Sequence, residues 1–409
     1  MKKILKTYIL TFLILIISLF LVSFIPKKAV YKNTVSSFKY YYNQKKIGYL
    51  NNNMLKKDYY KIDYKADMKS LSMAYEIDEK DKINSLVKMN YIAQTEGELQ
   101  DFSKYLKSDK AIIINYSRYW QGQTIFLRIL LIFFNIQIIY FIGVGFFSLI
   151  LIFLTYKLLK KDKLLGISFI IGNILINFFI IPYCIEYIFA FLISYISCIV
   201  LIKMIDRNSK NISLLFLING MLVAFFDFLT CETITLSLPL FIYIYLTKDK
   251  ITYKDIFKII LLWTFGYAGM FIIKWSIAYA LMGKKFIKST AFYAKKRIYF
   301  ENENTLLISI TNIGKIIKDL FIFNKFKYGL TLFCGVLFYI IYNIVFNNKN
   351  KKLTKLLFVS LIPILRYILL PAHTYVHGYF VYRAILPLLI FITVYIVSVK
   401  KSGNLLNSC

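Results

Sequence analysis

Histidine, proline and acidic side chains are scarce in this chain, and cysteine is absent from its one long polar segment. Six prolines in 409 residues leave the apolar runs almost uninterrupted. The five cysteines, Cys184, Cys198, Cys231, Cys334 and Cys409, all fall after that segment, and four sit in or beside apolar runs. That pattern argues against a disulfide framework and against a cysteine-based zinc site. The two histidines, His373 and His377, stand at i and i+4 without an HExxH pattern. A divalent cation is compatible with that spacing but not called for by it, so the cofactor stays open. No small-residue cleavage site follows the first apolar run, which reads as a retained signal anchor rather than a signal peptide. No internal repeat signals the two halves common in transporters.

Asp and Glu number 21 against 52 Lys and Arg, a net charge of +31. A balance of that kind can indicate nucleic acid. Here the basic residues sit mainly in short connectors between apolar runs, as the orientation of membrane spans requires, and no nucleic-acid partner is expected. Hydrophobic residues make up 58% of the chain and mean hydropathy is +0.60, which outweighs the soluble multi-domain prior set by length.

The expected fold is an all-α integral membrane protein with about ten transmembrane helices. The spans fall near 7–25, 136–156, 164–181, 184–202, 212–227, 233–246, 257–281, 328–346, 355–370 and 384–399. Three parts follow: a signal-anchor helix (1–25), a large extracytoplasmic loop ending in an interfacial helix (26–135), and a polytopic bundle (136–409). The interfacial helix carries Arg128 within IFLRILLIFFN. The bundle includes a second outer loop, 282–327, in which Leu306, Ile310, Ile313, Ile317 and Leu320 recur at the spacing of an amphipathic surface helix. Lysines cluster in alternate connectors, for example Lys157, Lys160 and Lys161, then Lys203 and Lys210, whereas 182–183 and 228–232 have none. The positive-inside rule then puts both termini in the cytoplasm of a multi-pass cell-membrane protein.

With that topology the distinctive polar residues gather at the outer side. Asp63 and Asp67 lie in the first loop at i, i+4, on one face of a helix or simply on a solvated one. Arg118 and Trp120 belong to YSRYWQG (116–122), Asp227 and Glu232 to an outer turn, and Lys274 to the outer part of a span. Arg366, His373, His377, Tyr379 and Arg383 surround the last outer turn. Ionisable groups at membrane depth default to functional candidates, although snorkelling would account for Lys274 and an aromatic belt for Trp120 and Tyr379. Basic groups below an acidic loop suit a polyprenyl phosphate. Arg118, Lys274, Arg366 and Arg383 would hold its phosphate, and the histidines would orient donor or acceptor. A carboxylate would deprotonate the acceptor hydroxyl.

The layout resembles the GT-C superfamily of membrane glycosyltransferases, in which one span leads to a long outer loop with a catalytic acid near its start. IDYKAD (62–67) occupies that place here. The strings YSRYWQG, FFDFLT (225–230), GYAGMFIIKW (266–275) and HxxxHxYFxYR (373–383) are similar to those of a group of multi-span proteins of Gram-positive bacteria. The resemblance implies sugar transfer from a polyprenyl-phosphate donor, among membrane lipids, to a glycan, lipid or protein acceptor at the outer face. Asp63 or Asp67 would be the base, with Asp227 as the rival. Other readings are a flippase or exporter of a lipid-linked saccharide, and a surface-polysaccharide polymerase or ligase.

Overall fold

The computed structural model describes residues 1–46, 64–92, 112–247, 250–299, 305–320, 329–343 and 351–406. Helices dominate, and the one sheet among the described residues is a two-residue antiparallel ladder, Tyr91–Ile92 against Ile113–Ile114, with Tyr91 opposite Ile114. The all-α expectation holds apart from that clip.

Five helices among the described residues are long and apolar enough to cross a bilayer: Lys2–Val22, Ile136–Lys161, Ile185–Asp206, Tyr253–Met282 and Pro371–Ser398. Ten such spans are not found among the described residues: the expected span at 328–346 lies partly outside them, and helix length accounts for others. Lys163–Leu175, Ile212–Phe226 and Ile234–Thr247 are apolar but have 13, 15 and 14 residues. At 1.5 Å per residue each reaches roughly 20 Å, short of a hydrocarbon core of about 30 Å. The expected span at 355–370 is two helices, Lys351–Ser360 and Ile362–Leu369, separated just before Pro363. The last span begins earlier than its hydropathy suggests, because Pro371–Val381 and Leu386–Leu406 are joined by a single 3₁₀ turn, Tyr382–Ile385.

Lys2–Val22 and Ile136–Lys161 lie at the margin of the bundle, with only 17% and 22% of their apolar windows buried. Their outward faces carry Leu10, Ile14, Leu21, Phe141, Leu149 and Ile152, a surface suited to lipid rather than water. The centre is Ile185–Asp206 and Ile234–Thr247, where Phe191, Tyr195, Leu238 and Phe241 are fully buried. Ile212–Phe226 and Tyr253–Met282 pack against each other along much of their length. Gly220 faces the Trp263 carbonyl and Gly266 faces the Leu217 carbonyl, so that a Cβ at either position would strike backbone. Small residues at a helix crossing allow such an approach.

The first polar segment folds onto the same end of the bundle. Lys27–Lys46, Tyr64–Glu76 and Lys82–Lys88 are helices, and the first two bury Val30, Phe38 and Leu71 against Leu127 and Leu131 of Gln123–Phe133. Asn33 Nδ2 donates to the Leu131 carbonyl at 2.9 Å, and Ser37 Oγ accepts the Ile136 amide at 2.8 Å. The amphipathic helix expected in the second loop is present as Thr305–Leu320. It packs on the last helices rather than lying apart from them: Ile308, Ser309 and Asn312 are buried, and Asn312 Nδ2 donates to the Pro371 carbonyl at 2.9 Å.

Two buried cations fix the polar segment, Lys274 to a bundle helix and Arg128 to the interfacial helix of the segment itself. Lys274 Nζ donates to the carbonyls of Val87 at 2.9 Å and Leu86 at 3.3 Å, the last turn of Lys82–Lys88. Arg128 donates to the Ala74 carbonyl in the last turn of Tyr64–Glu76 and to the Ile25 carbonyl. Helix C-termini carry unpaired carbonyls and partial negative charge, so a cation is the fitting partner for each. Replacing Lys274 by Met strands two buried carbonyls, a cost of about 1–3 kcal/mol per buried group left unsatisfied. The expected result is a lower melting temperature in detergent and faster protease cleavage within 82–115, read by thermal unfolding and limited proteolysis.

Candidate functional site

The end of the bundle covered by the polar segment holds a cavity of about 290 Å³. One wall is the Tyr64–Glu76 helix, which presents Lys65, Lys69 and Ser70. Tyr91 from the short ladder and Tyr116 from YSRYWQG continue that wall, with ring centroids 5.7 Å apart in an edge-on arrangement. The floor comes from the first turn of Ile185–Asp206, with Glu186 and Tyr187, and from Thr230 in the turn after Ile212–Phe226. Arg297, near the end of Lys284–Ile298, and His373, His377 and Tyr379 close the other side. The two imidazoles lie 4.6 Å apart, centroid to centroid, and His377 departs from helical geometry (φ −109°, ψ 17°), which kinks the helix at the cavity.

The structure brings the outer strings together. The Gly122 amide donates to the Phe225 carbonyl at 2.9 Å, Trp120 and Phe225 rings lie 5.8 Å apart, and Trp120 Nε1 donates to the Met270 carbonyl at 2.8 Å. Lys274 sits 5.2 Å from the Trp120 ring. Both side chains are buried and fully committed to holding the polar segment, so neither faces the cavity. Arg118 stacks on Tyr293 at 3.8 Å and Tyr116 at 4.7 Å, outside the polar cavity but in the lining of a second, apolar one. Arg383 is buried beside Phe380 and Tyr382 and donates to the Tyr379 carbonyl at 3.2 Å.

Of the three aspartates expected as base, Asp63 lies outside the described residues. Asp67 is fully buried and does not line the cavity, although Lys65, Ala66, Lys69 and Ser70 around it do. Its carboxylate accepts the Ile185 amide at 2.9 Å, a hydrogen bond from Tyr140 Oη, and the Cys184 thiol at 3.5 Å. A carboxylate at the first amide of a helix satisfies an orphan donor and the macrodipole together, so Asp67 positions the helix that carries Glu186. Asp227 stands just past the end of Ile212–Phe226, buried, and accepts from the amide of Thr230 at 2.9 Å and from its hydroxyl.

Behind the histidines lies a buried ion pair. Arg366 Nε donates to Glu232 Oε1 at 3.0 Å, with both side chains 5% exposed. The same guanidinium reaches Thr374 Oγ1 at 3.3 Å, His373 Nδ1 at 3.1 Å and the Leu229 carbonyl. Glu232 Oε2 has no hydrogen-bond partner among the described residues. Burial, and then the Glu232 charge, push the Asp227 carboxyl up to about 7, against the pull of Thr230 and Arg366.

Glu186 is the residue the outer-side inventory passed over. Among the described residues it is the one carboxylate lining the cavity. A signal was present: Glu186 is the only charged residue between Lys163 and Lys203, in the middle of long apolar runs. The adjacent pair Asp78-Glu79 was also passed over, but it is structural. Asp78 accepts the Lys80 amide at 2.8 Å, Glu79 accepts the Lys27 amide at 3.3 Å, and neither lines the cavity. No group of three or more His, Cys, Asp or Glu residues arranged for a metal ion occurs among the described residues.

A second cavity of about 340 Å³ runs beside the first, between Tyr253–Met282 and Lys284–Ile298. Its lining is mostly apolar, with Tyr267, Phe271, Ile272, Trp275 and Ile298. Arg297 lines both cavities. No family model, curated protein or solved structure matches the chain.

Two outcomes follow from the buried charges. Glu232→Gln leaves the Arg366 guanidinium buried without its counter-charge, and thermal unfolding should show a loss on the order of 3–5 kcal/mol. Burial and the neighbouring Glu232 charge raise the Asp227 carboxyl above its unfolded value of 3.8, so the folded state keeps this proton to higher pH than the unfolded chain does. The folded state therefore binds more protons above that value, and stability falls as pH rises from there. In Asp227→Asn, melting temperatures recorded from pH 4 to 7 should lose this part of the slope.

Proposed function

We propose that this protein is a membrane glycosyltransferase that moves a sugar from a polyprenyl-phosphate-linked donor to an acceptor at the outer face of the membrane. The observation that carries the reading is the pairing of a polar, charged cavity with an apolar groove through one shared guanidinium, Arg297. A ligand with a long hydrocarbon tail and a phosphate head matches that pairing: tail in the groove, phosphate on Arg297, sugar in the polar cavity. Free sugars and sugar nucleotides would leave the groove without a use.

Glu186 is then the base in place of the aspartates. In the reaction, the acceptor hydroxyl gives its proton to the Glu186 carboxylate, and its oxygen forms the new bond to the anomeric carbon. The bond from that carbon to the phosphate oxygen breaks, its electron pair leaving with the phosphate. Positive charge builds on the sugar ring and negative charge on the leaving group, as in glycoside hydrolysis. Arg297 neutralises the leaving phosphate, and His373 and His377 supply hydrogen bonds to the sugar or phosphate. Arg366 and Glu232 act behind them by fixing His373.

The reading is tested by transfer from a radiolabelled polyprenyl-phosphate sugar in reconstituted vesicles. General-base catalysis contributes typically 10²–10⁴-fold, so Glu186→Gln should lower kcat by about that factor with little change in KM. Arg297→Gln should raise KM for the lipid donor. Full activity in Glu186→Gln would remove Glu186 as base. In cells lacking the protein, donor accumulating in the outer leaflet supports transfer, whereas accumulation in the inner leaflet would support a flippase instead.

A further inference from the structure

A third cavity, of about 710 Å³, lies at the other end of the same helices. Ile185–Asp206 gives Glu186, in its first turn, to the polar cavity and Ile205, in its last, to this one. At about 1.5 Å per residue the separation along that helix is roughly 28 Å, close to one hydrocarbon thickness. The walls are the end of Ile185–Asp206, the start of Ile212–Phe226, the end of Ile234–Thr247 and the start of Tyr253–Met282. Three lysines reach the lining from separate places in the chain. Lys210 precedes Ile212–Phe226, Lys250 lies between Ile234–Thr247 and Tyr253–Met282, and Lys258 is in the second turn of the latter. Ile212, Leu246 and Ile259 supply apolar surface beside them.

Other cations at this end are engaged by the protein itself. Lys161 pairs with Asp206, and Lys3 Nζ donates to Asn211 Oδ1 at 2.6 Å. The ammonium groups of Lys210 and Lys250 make no hydrogen bond or ion pair among the described residues. Asp255 is the one carboxylate in the described lining. Its Oδ2 accepts the Thr252 amide at 3.0 Å and the Thr252 hydroxyl at 2.7 Å, which closes the first turn of its helix. Counted in full, it offsets one of the three lysines. The positive-inside rule places lysines at this end, but it does not gather three of them around a hollow with an apolar wall. We propose that this cavity binds an anionic phospholipid, its phosphodiester on Lys210, Lys250 and Lys258 and its acyl carbons along Ile212, Leu246 and Ile259. Basic hollows between membrane helices at headgroup level fit such lipids. A soluble phosphate ester would leave the apolar wall without a use, and a zwitterionic lipid would bring its own cation against the lysines. The site is separate from the transferase reading and stands without it. A lipid held there joins the connectors that carry Lys210 and Lys250, so its binding stabilises the folded chain.

The test uses the full chain, delipidated in neutral detergent and titrated with dihexanoyl phosphatidylglycerol, dihexanoyl phosphatidylcholine or glycerol 3-phosphate. Binding is read by the rise in melting temperature and by native mass spectrometry. Phosphatidylglycerol should saturate one site and bind about tenfold or more tightly than either other probe. Lys210→Gln and Lys250→Gln should each weaken it about fivefold, and the triple variant with Lys258→Gln roughly a hundredfold. Lys254→Gln removes a lysine of the same helix that does not line the cavity, and should change binding by less than about twofold. All four lysines are exposed, so the variants keep the fold, and their melting temperatures without lipid check this. A loss in Lys254→Gln equal to that in Lys210→Gln means diffuse surface charge and overturns the site. Equal binding of phosphatidylcholine also overturns it. Glycerol 3-phosphate binding as tightly as phosphatidylglycerol through the same lysines assigns the hollow to a soluble phosphate ester and overturns the lipid proposal.

Discussion

The polar segment is held at its end of the bundle by three buried charges that meet helix termini of opposite sign. Asp67 takes the first amide of Ile185–Asp206, Lys274 the last carbonyls of Lys82–Lys88, and Arg128 a carbonyl in the last turn of Tyr64–Glu76. An isolated charge at this depth would be prohibitive, but a helix end offers unpaired backbone groups and a partial charge already pointing the right way. Each contact joins the polar segment to a bundle helix or fixes the junction between them. The cavity lies between the segment and the bundle helices that these contacts join.

That scheme also explains why the charges most prominent in the apolar sequence are not those facing the cavity. Lys274 is the one charged residue in the apolar stretch 259–282, as a functional cation would be, yet its ammonium is bound to carbonyls. Arg366 is engaged by Glu232 and orients His373. Several groups that face the cavity come from the edges of elements, Glu186 in a first helical turn, Arg297 in a last one, Thr230 in a turn and His377 at a kink, while Lys69 and Ser70 project from mid-helix. Helix ends are where side chains can leave the packed interior without breaking the backbone ladder, and binding groups concentrate there for that reason.

The junction of polar cavity and apolar groove gives the site its chemical logic. Arg297 belongs to both, and it comes from Lys284–Ile298, a basic helix within the second polar loop. A lysine-rich loop on the side that charge patterning assigns to the outside breaks the positive-inside rule. Under the proposed reading the violation has a use, since that loop presents cationic side chains at the level of a lipid phosphate.

Hydropathy by itself determined the class: a helical membrane protein with a polar segment after its first apolar run and an amphipathic helix late in the chain. It also marked the strings that converge on one end, because polar residues in apolar surroundings are conspicuous. Helix breaks were beyond it. Hydropathy averages over a window, so Lys163–Leu175 and the division before Pro363 read as full spans. Side-chain direction was equally beyond it: Asp67 and Lys69 are two residues apart on one helix, yet one is buried as a cap and the other lines the cavity. Only the tertiary structure decided which charges bind the protein to itself and which line the cavity. The partners involved are distant in the chain, and a charge's role is set by what the fold places against it.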